Sequence, residues 1–178
     1  INVAVQESLY FRLKQIEDDE YNWLTDSVIK QCMKRLKDTI SYDCQNEEPY
    51  PEHSIYEYNN EDLHEKIDKE TEKYIPKKKF RFAARVDLIT ENTVWEIKTT
   101  SDLTIDHKLQ IIIYAWLWEM RPQSEEKVFR LYNIKNNHLL RLNASLEELN
   151  EVIRKILECR YIQGEAKCDK DFVRGCKR

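Results

Sequence analysis

Three side chains, Asp87, Glu96 and Lys98, follow the spacing D-x8-E-x-K. They lie in the stretch 80–118, FRFAARVDLITENTVWEIKTTSDLTIDHKLQIIIYAWLW. Two apolar-patterned runs meet there at Glu91-Asn92, which reads as the loop of a two-residue hairpin, since Asn at the second loop position tolerates positive φ. Counting outward predicts that Thr90 faces Thr93, Ile89 faces Val94, Leu88 faces Trp95 and Asp87 faces Glu96. Alternation along a strand places Val86, Leu88, Trp95 and Ile97 on a face suited to a core. The other face carries Arg85, Asp87, Glu96 and Lys98, with Ile89 and Val94 toward the turn. Directly opposed carboxylates, about 5 Å apart, repel. A divalent cation between them removes that objection: Mg²⁺ or Mn²⁺ takes oxygen ligands and keeps several waters, so two carboxylates are enough to start a site. Lys98 returns to the same face, where it can orient or deprotonate a water or offset charge on a phosphate. The bland alternative is a solvated strand on which common residues fall by chance. An unmixed acid–acid–base row opposite an apolar face argues against it.

Asp87 followed by Glu96-Ile97-Lys98 resembles the signature of the PD-(D/E)XK nuclease superfamily, an acid on one strand and E-x-K on the next. Lys98-Thr99 is similar to the K-T that often closes it, and Gln110-Ile111-Ile112-Ile113-Tyr114 resembles the Q-x3-Y motif of the RecB-like branch. Two positions depart from the pattern: Ala84 stands where the family often has Gly, and Val86 precedes the acid in place of Pro. The resemblance implies an α/β, restriction-endonuclease-like core, a small mixed sheet flanked by helices. It implies one or two Mg²⁺ or Mn²⁺ ions held by Asp87, Glu96, the carbonyl of Ile97 and a helical histidine. The segment 63–68, LHEKID, is similar to the family's helical His motif with Asp68 in place of Glu, which points to His64, with His53 as the fallback. The implied substrate is DNA, cut by exonuclease or flap-type action at single-stranded ends, within a longer replication or recombination protein. Gln110 and Tyr114 would orient the strand, with Arg85 and Lys79 as further nucleic-acid contacts. From spacing alone, Tyr114 is a core tyrosine whose hydroxyl Gln110 satisfies. The alternatives are a cap-snatching-type viral RNA endonuclease, which shares the acid–Glu–Lys site but lacks Q-x3-Y, and a non-catalytic nucleic-acid-binding domain.

A chain of 178 residues suits one domain with an appendage and buries a core without staples. Charged residues make up 35% and glycine only 2 positions, which leans toward helix. A net charge of -4 excludes a uniformly basic nucleic-acid coat, so any basic surface must be local to a groove. Five cysteines, an odd count, read as reduced thiols in an intracellular setting. The late cysteines run C-x8-C-x7-C, without the tight triplet that holds an iron–sulfur cluster in some RecB-like nucleases, and no pair has zinc spacing. The apolar run 111–118 falls far short of the roughly 20 residues of a membrane span, so no membrane partner is expected.

The elements that must position these residues follow from periodicity and caps. Residues 1–50 read as a helical extension, with Leu9, Leu13 and Ile16 on one stripe and Leu24 to Ile40 on a second helix. The chain opens at Ile1, which suggests a fragment of something longer. Residues 51–178 read as the core. Pro49 and Pro51 mark 43–59 as a loop, so the strand expected before the acidic one must come from 74–82 or from a long bent strand over 79–89. Asn60 caps a helix, and Lys77, Lys78, Lys79 and Arg81 are a solubilising edge or a guide for a polyanion in equal measure. Residues 105–120 form a helix buried on most sides, with His107 one turn before Gln110 at the rim. Strands follow at 128–134 and 139–142, then a helix opened by the capping box Ser145-x-x-Glu148. The tail from 163 is expected to fray.

Overall fold

The computed structural model of the chain describes residues 25–41, 50–55, 60–82, 84–122 and 125–161. The stripe of Leu9, Leu13 and Ile16, the tail from 163, and Cys44, Cys168 and Cys176 lie outside the described residues. The chain divides into two compact units, Ile1–Thr39 and Ile40–Arg178. Helix α1, Asp26–Ile40, begins where Thr25 Oγ1 accepts the Val28 amide at 3.3 Å.

The second unit is α/β. Its five-stranded mixed sheet runs in the order β1 (Tyr50–Ser54), β2 (Arg85–Ile89), β3 (Thr93–Lys98), β4 (Val128–Asn133), β5 (His138–Arg141). Neighbours are antiparallel except β3 and β4, which are parallel and paired along their whole length, from Thr93↔Val128 to Lys98↔Asn133. Parallel neighbours need a crossover, and helix α3, Ile105–Glu119, supplies it. Helix α2, Glu61–Glu72, precedes β2, and helix α4, Leu146–Tyr161, follows β5.

Local chemistry sets these boundaries. Asn60 Oδ1 accepts the Leu63 amide at 2.9 Å, so α2 starts at its predicted cap. Ser145 and Glu148 exchange the two bonds of a capping box, at 2.7 and 3.3 Å, and α4 starts there. The β2–β3 hairpin closes in the counted register: Thr90 N donates to Thr93 O at 2.9 Å, and Ile89↔Val94 and Leu88↔Trp95 pair. Lys127 grips the turn through the carbonyls of Glu91 and Thr90, and Val128 N donates to Asn92 O at 2.8 Å, which sets β4 in register on β3.

Two expectations are corrected. The strand beside β2 comes from 50–54, inside the stretch expected to be a loop, while 79–82 and Ala84 adopt no strand. Pro51 is compatible with this because β1 is an edge strand, where a missing N–H leaves no ladder bond unmade. The acid side of the hairpin is also not uniformly polar surface: Arg85 and Asp87 are exposed, Lys98 is half-buried and Glu96 is buried. Ile89 and Val94, on the same side, belong to the main core with Trp116, Leu117, Trp118, Phe129 and Leu131. The opposite face is closed as well: Trp95 and Tyr132 are buried, and the Arg130 guanidinium lies 5.0 Å from the Trp95 ring centre.

Helix α3 is buried because it is apolar nearly all round, and its polar atoms are satisfied. Trp116 Nε1 donates to Asn150 Oδ1 of α4 at 2.7 Å, and Trp118 Nε1 donates to the Glu125 carbonyl at 2.8 Å. The caps carry a direct prediction. Asn60→Ala should lower unfolding free energy by about 1 kcal/mol in urea melts, and Asn60→Asp should restore it.

Candidate functional site

The site is built where β2 and β3 part. Their ladder covers Ile89↔Val94 and Leu88↔Trp95 and goes no further. Continued by one step of the antiparallel pattern, it would join the Ile97 amide to the Val86 carbonyl. Instead, Asp87 Oδ2 accepts that amide at 2.7 Å. The expected direct opposition of Asp87 and Glu96 across a ladder is therefore corrected: the Asp87 carboxylate takes the place of a backbone carbonyl, and the strands fork. Along β3, Asn92 and Lys98 give their carbonyls to β4, so alternate residues, Ile97 among them, direct backbone groups to the forked side. The Ile97 carbonyl thus opens toward the same gap as the Asp87 carboxylate.

Glu96 forms the floor. It is 2% exposed, and its Oε1 accepts from Lys98 Nζ, itself 19% exposed. Its Oε2 is buried with no hydrogen-bond partner among the described residues. Burial, against the pull of Lys98 and Gln110 and with the Asp87 charge adding to it, leaves the carboxyl raised to about 7. Gln110 exerts its pull from nearby, without reaching Oε2 at hydrogen-bond geometry. A buried carboxylate oxygen without a donor is costly. A divalent cation is the partner that would satisfy it, and oxygen donors from Glu96, Asp87 and the Ile97 carbonyl suit Mg²⁺ or Mn²⁺.

Helix α3 covers this floor. Tyr114 is 6% exposed, and its hydroxyl donates to the Arg85 carbonyl at 2.8 Å while accepting from Gln110 Nε2 at 2.7 Å. Burial pushes the phenol up to about 12. The structure thus gives Tyr114 the core role that spacing alone suggested: its hydroxyl ties α3 to β2 and is not turned outward to a nucleic-acid strand. His107, two turns earlier, accepts the Thr104 amide through Nδ1 at 3.1 Å.

The remaining predicted residues are placed as follows. Arg85 is exposed at the start of β2, beside the fork. Lys79 is exposed and lies 4.0 Å from Asp68, which also holds Arg81 at 3.0 Å, so this part of the basic run is tied to α2. His64 is half-buried on α2 with Nε2 withdrawn from solvent. Among the described residues no group of three or more His, Cys, Asp or Glu side chains is arranged to hold a metal ion. The side chain of His53 lies outside the described set.

Protein-family models, curated proteins and solved structures give no match to this chain. The site therefore rests on its own geometry.

Sequence reasoning missed Asn133. It is fully buried, pairs with Lys98 across the β3–β4 ladder, and donates from Nδ2 to the Thr100 carbonyl at 2.7 Å. Asn136 Nδ2 donates to Ser101 O at 3.0 Å, so two asparagines pin the loop that leaves Lys98. The available signal was an asparagine ending a strand that is apolar but for Arg130.

Two measurements follow. Glu96 binds its proton more tightly folded than unfolded, so the stability present below about pH 4.5 is lost as pH rises through about 7. Unfolding free energy of the wild type should fall over that window, and Glu96→Gln should flatten the slope. Asn133→Ala should cost roughly 1–3 kcal/mol, since it removes a buried donor from the Thr100 carbonyl, as read by thermal unfolding.

Proposed function

We propose that this chain is a divalent-metal-dependent nuclease of the PD-(D/E)XK kind, with a restriction-endonuclease-like core, acting on DNA with single-stranded ends. The observation that carries the reading is the buried Glu96 with one oxygen open, set at a fork beside the Asp87 carboxylate and under the Lys98 ammonium. Asp87, Glu96 and the Ile97 carbonyl would hold Mg²⁺ or Mn²⁺. When bound, the cation supplies Lewis acidity to a phosphoryl oxygen and to the departing oxygen.

The chain's own residues do the rest. Asp87 is fixed by its bond to the Ile97 amide, so it keeps its orientation without a ligand. Lys98 is held over the floor by Glu96, where its ammonium would orient the attacking water. Burial under α3 keeps bulk water from the back of the site, which strengthens each charge–charge contact there. Arg85, exposed beside the fork, would meet the polyanion. Gln110 positions the floor and the wall together.

A second reading has a specific support. With the Tyr114 hydroxyl committed to Arg85 and Gln110, the Q-x3-Y segment no longer argues for DNA over RNA. The same acid–Glu–Lys floor serves an RNA endonuclease of the cap-snatching type.

Labelled single-stranded DNA and RNA, incubated with Mn²⁺, Mg²⁺ or EDTA, separate these readings. DNA should be cut with metal and spared in EDTA. Cutting of RNA alone would move the assignment to the RNA endonuclease, and no cutting of either would remove the enzyme reading. Lys98→Ala should abolish turnover and leave Mn²⁺ uptake in calorimetry largely in place. Asp87→Asn and Glu96→Gln should lose both. In the wild type, metal uptake near pH 6.5 should release a proton, because Glu96 must ionise to bind.

A further inference from the structure

The basic run before β2 divides in the structure. Lys79 and Arg81 are drawn to Asp68, at 4.0 and 3.0 Å. Glu70, near the end of the same helix, is committed to Lys73 and to the Tyr74 hydroxyl. Lys77 and Lys78 form no ion pair among the described residues. Buried Ile75 and Phe80 pin the two ends of the segment, so 76–79 stand out between them as one exposed loop with a fixed base.

Lys77 is the unusual residue of that loop. Pro76 and Lys77 form its turn, and Lys77 adopts φ 65°. Proline is ordinary at the first central position of a turn. A second position with positive φ suits glycine or asparagine, because a Cβ there crowds the backbone. The lysine side chain is exposed and gives the fold no ion pair in return for the strain. Strain carried at an exposed charge points to a use for that charge.

Lys78 turns instead toward the end of α4. Its Nζ lies 3.7 Å from the centre of the Tyr161 ring, which has the Arg160 guanidinium at 5.8 Å and leans on Phe80 at 5.2 Å. The ring is 40% exposed. The bland role for these two cations is to offset the dipole at the helix C-terminus. That role does not reach Lys77, which lies outside the helix and beyond its last turn.

We infer that the 76–79 loop and the end of α4 form a second contact surface for the phosphodiester backbone of a single-stranded nucleic acid, apart from the Asp87–Glu96–Lys98 centre. The inference deepens the nucleic-acid reading and rests on it. Cations set around an exposed aromatic ring suit a single strand, whose phosphates meet the charges while its bases meet the ring. A membrane surface would also attract the lysines, but the loop exposes no large apolar side chain to insert beside them. Lys77 stands ten positions before Asp87, so at most about 35 Å of chain separates loop and centre, a span that about ten stacked nucleotides cover.

The test follows binding of the whole chain to a fluorescent oligothymidylate longer than that span, by anisotropy in EDTA over a range of salt concentrations. Lys77→Gly relaxes the turn and removes the charge. It should unfold at about the wild-type temperature, bind more weakly, and lower the slope of log affinity against log salt by about 1. Lys77→Arg should restore the slope. Lys155→Gln removes the same charge from an exposed lysine of α4 paired with Glu151, and should leave the slope unchanged. Equal losses in Lys77→Gly and Lys155→Gln would be an effect of net charge and would overturn the inference, as would unchanged binding in Lys77→Gly. Vesicles containing phosphatidylserine that retain the wild type and release Lys77→Gly, with oligonucleotide binding unmoved, would give the loop to membranes and overturn it too. Metal-dependent cutting by a wild type whose binding ignores Lys77 would keep the nuclease reading and remove the surface. Lys77-dependent binding in a chain that cuts neither DNA nor RNA would keep the surface and remove the nuclease reading.

Discussion

One hydrogen bond governs the shape of the sheet around the site: the Asp87 carboxylate on the amide of Ile97. A strand amide in a sheet interior must be paired, and the ordinary partner here would be a carbonyl of the neighbouring strand. A charged side chain takes that position instead, with a bond stronger than the neutral one it replaces. The strands can then separate after Leu88↔Trp95 with the Ile97 amide still paired. The disruption stays local because each strand is secured on its far side. β3 keeps its whole ladder with β4, and the first residues of β2 are held by His53↔Val86 and Ser54↔Arg85 of β1. Tyr114 adds a third restraint from above, on the Arg85 carbonyl.

The fork explains how an acid can stand in the core. Placing Glu96 among Val94, Leu131 and α3 costs several kcal/mol of lost hydration if it is charged, and one lysine offsets only part of that. The carboxyl responds by shifting its proton affinity toward neutrality. Its second oxygen remains without a donor, although the surrounding asparagines, tryptophans and tyrosines nearly all find partners. A buried acid oxygen left unmatched among largely satisfied neighbours points to a ligand as its missing partner. The same packing that makes Glu96 expensive keeps Lys98 fixed beside it and shields both from bulk water.

Much of this was legible in the chain. The register of the hairpin could be counted because side chains alternate with period two and a two-residue loop leaves no freedom of phase. Helix starts at Asn60 and Ser145 were legible because a cap is a bond between residues three apart. Asp87, Glu96 and Lys98 fall on one side of the hairpin for the same reason. The burial of Glu96 was not legible, because alternation says which residues share a side and not what covers that side. Both faces of β3 turned out to be covered, one by α3, and Glu96 shares its side with Ile89 and Val94 of the main core.

The sequence by itself determined the local matters: hairpin phase, helix caps, the apolar character of α3, and the residue types gathered on the acid row. These depend on neighbours within a few positions. Tertiary structure alone decided that the proline-bearing segment 50–54 is an edge strand, since Pro51 is harmless only if β2 offers a free edge beside it. It also decided that Tyr114 spends its hydroxyl on β2, that Asp68 is tied to Arg81, and that Asn133 anchors the loop beyond Lys98. Each of these contacts joins residues 13 to 39 positions apart, and no spacing rule reaches that far. The chain's local code placed the acids on one side of a ribbon; packing against distant segments buried Glu96 there and left Asp87 at the surface.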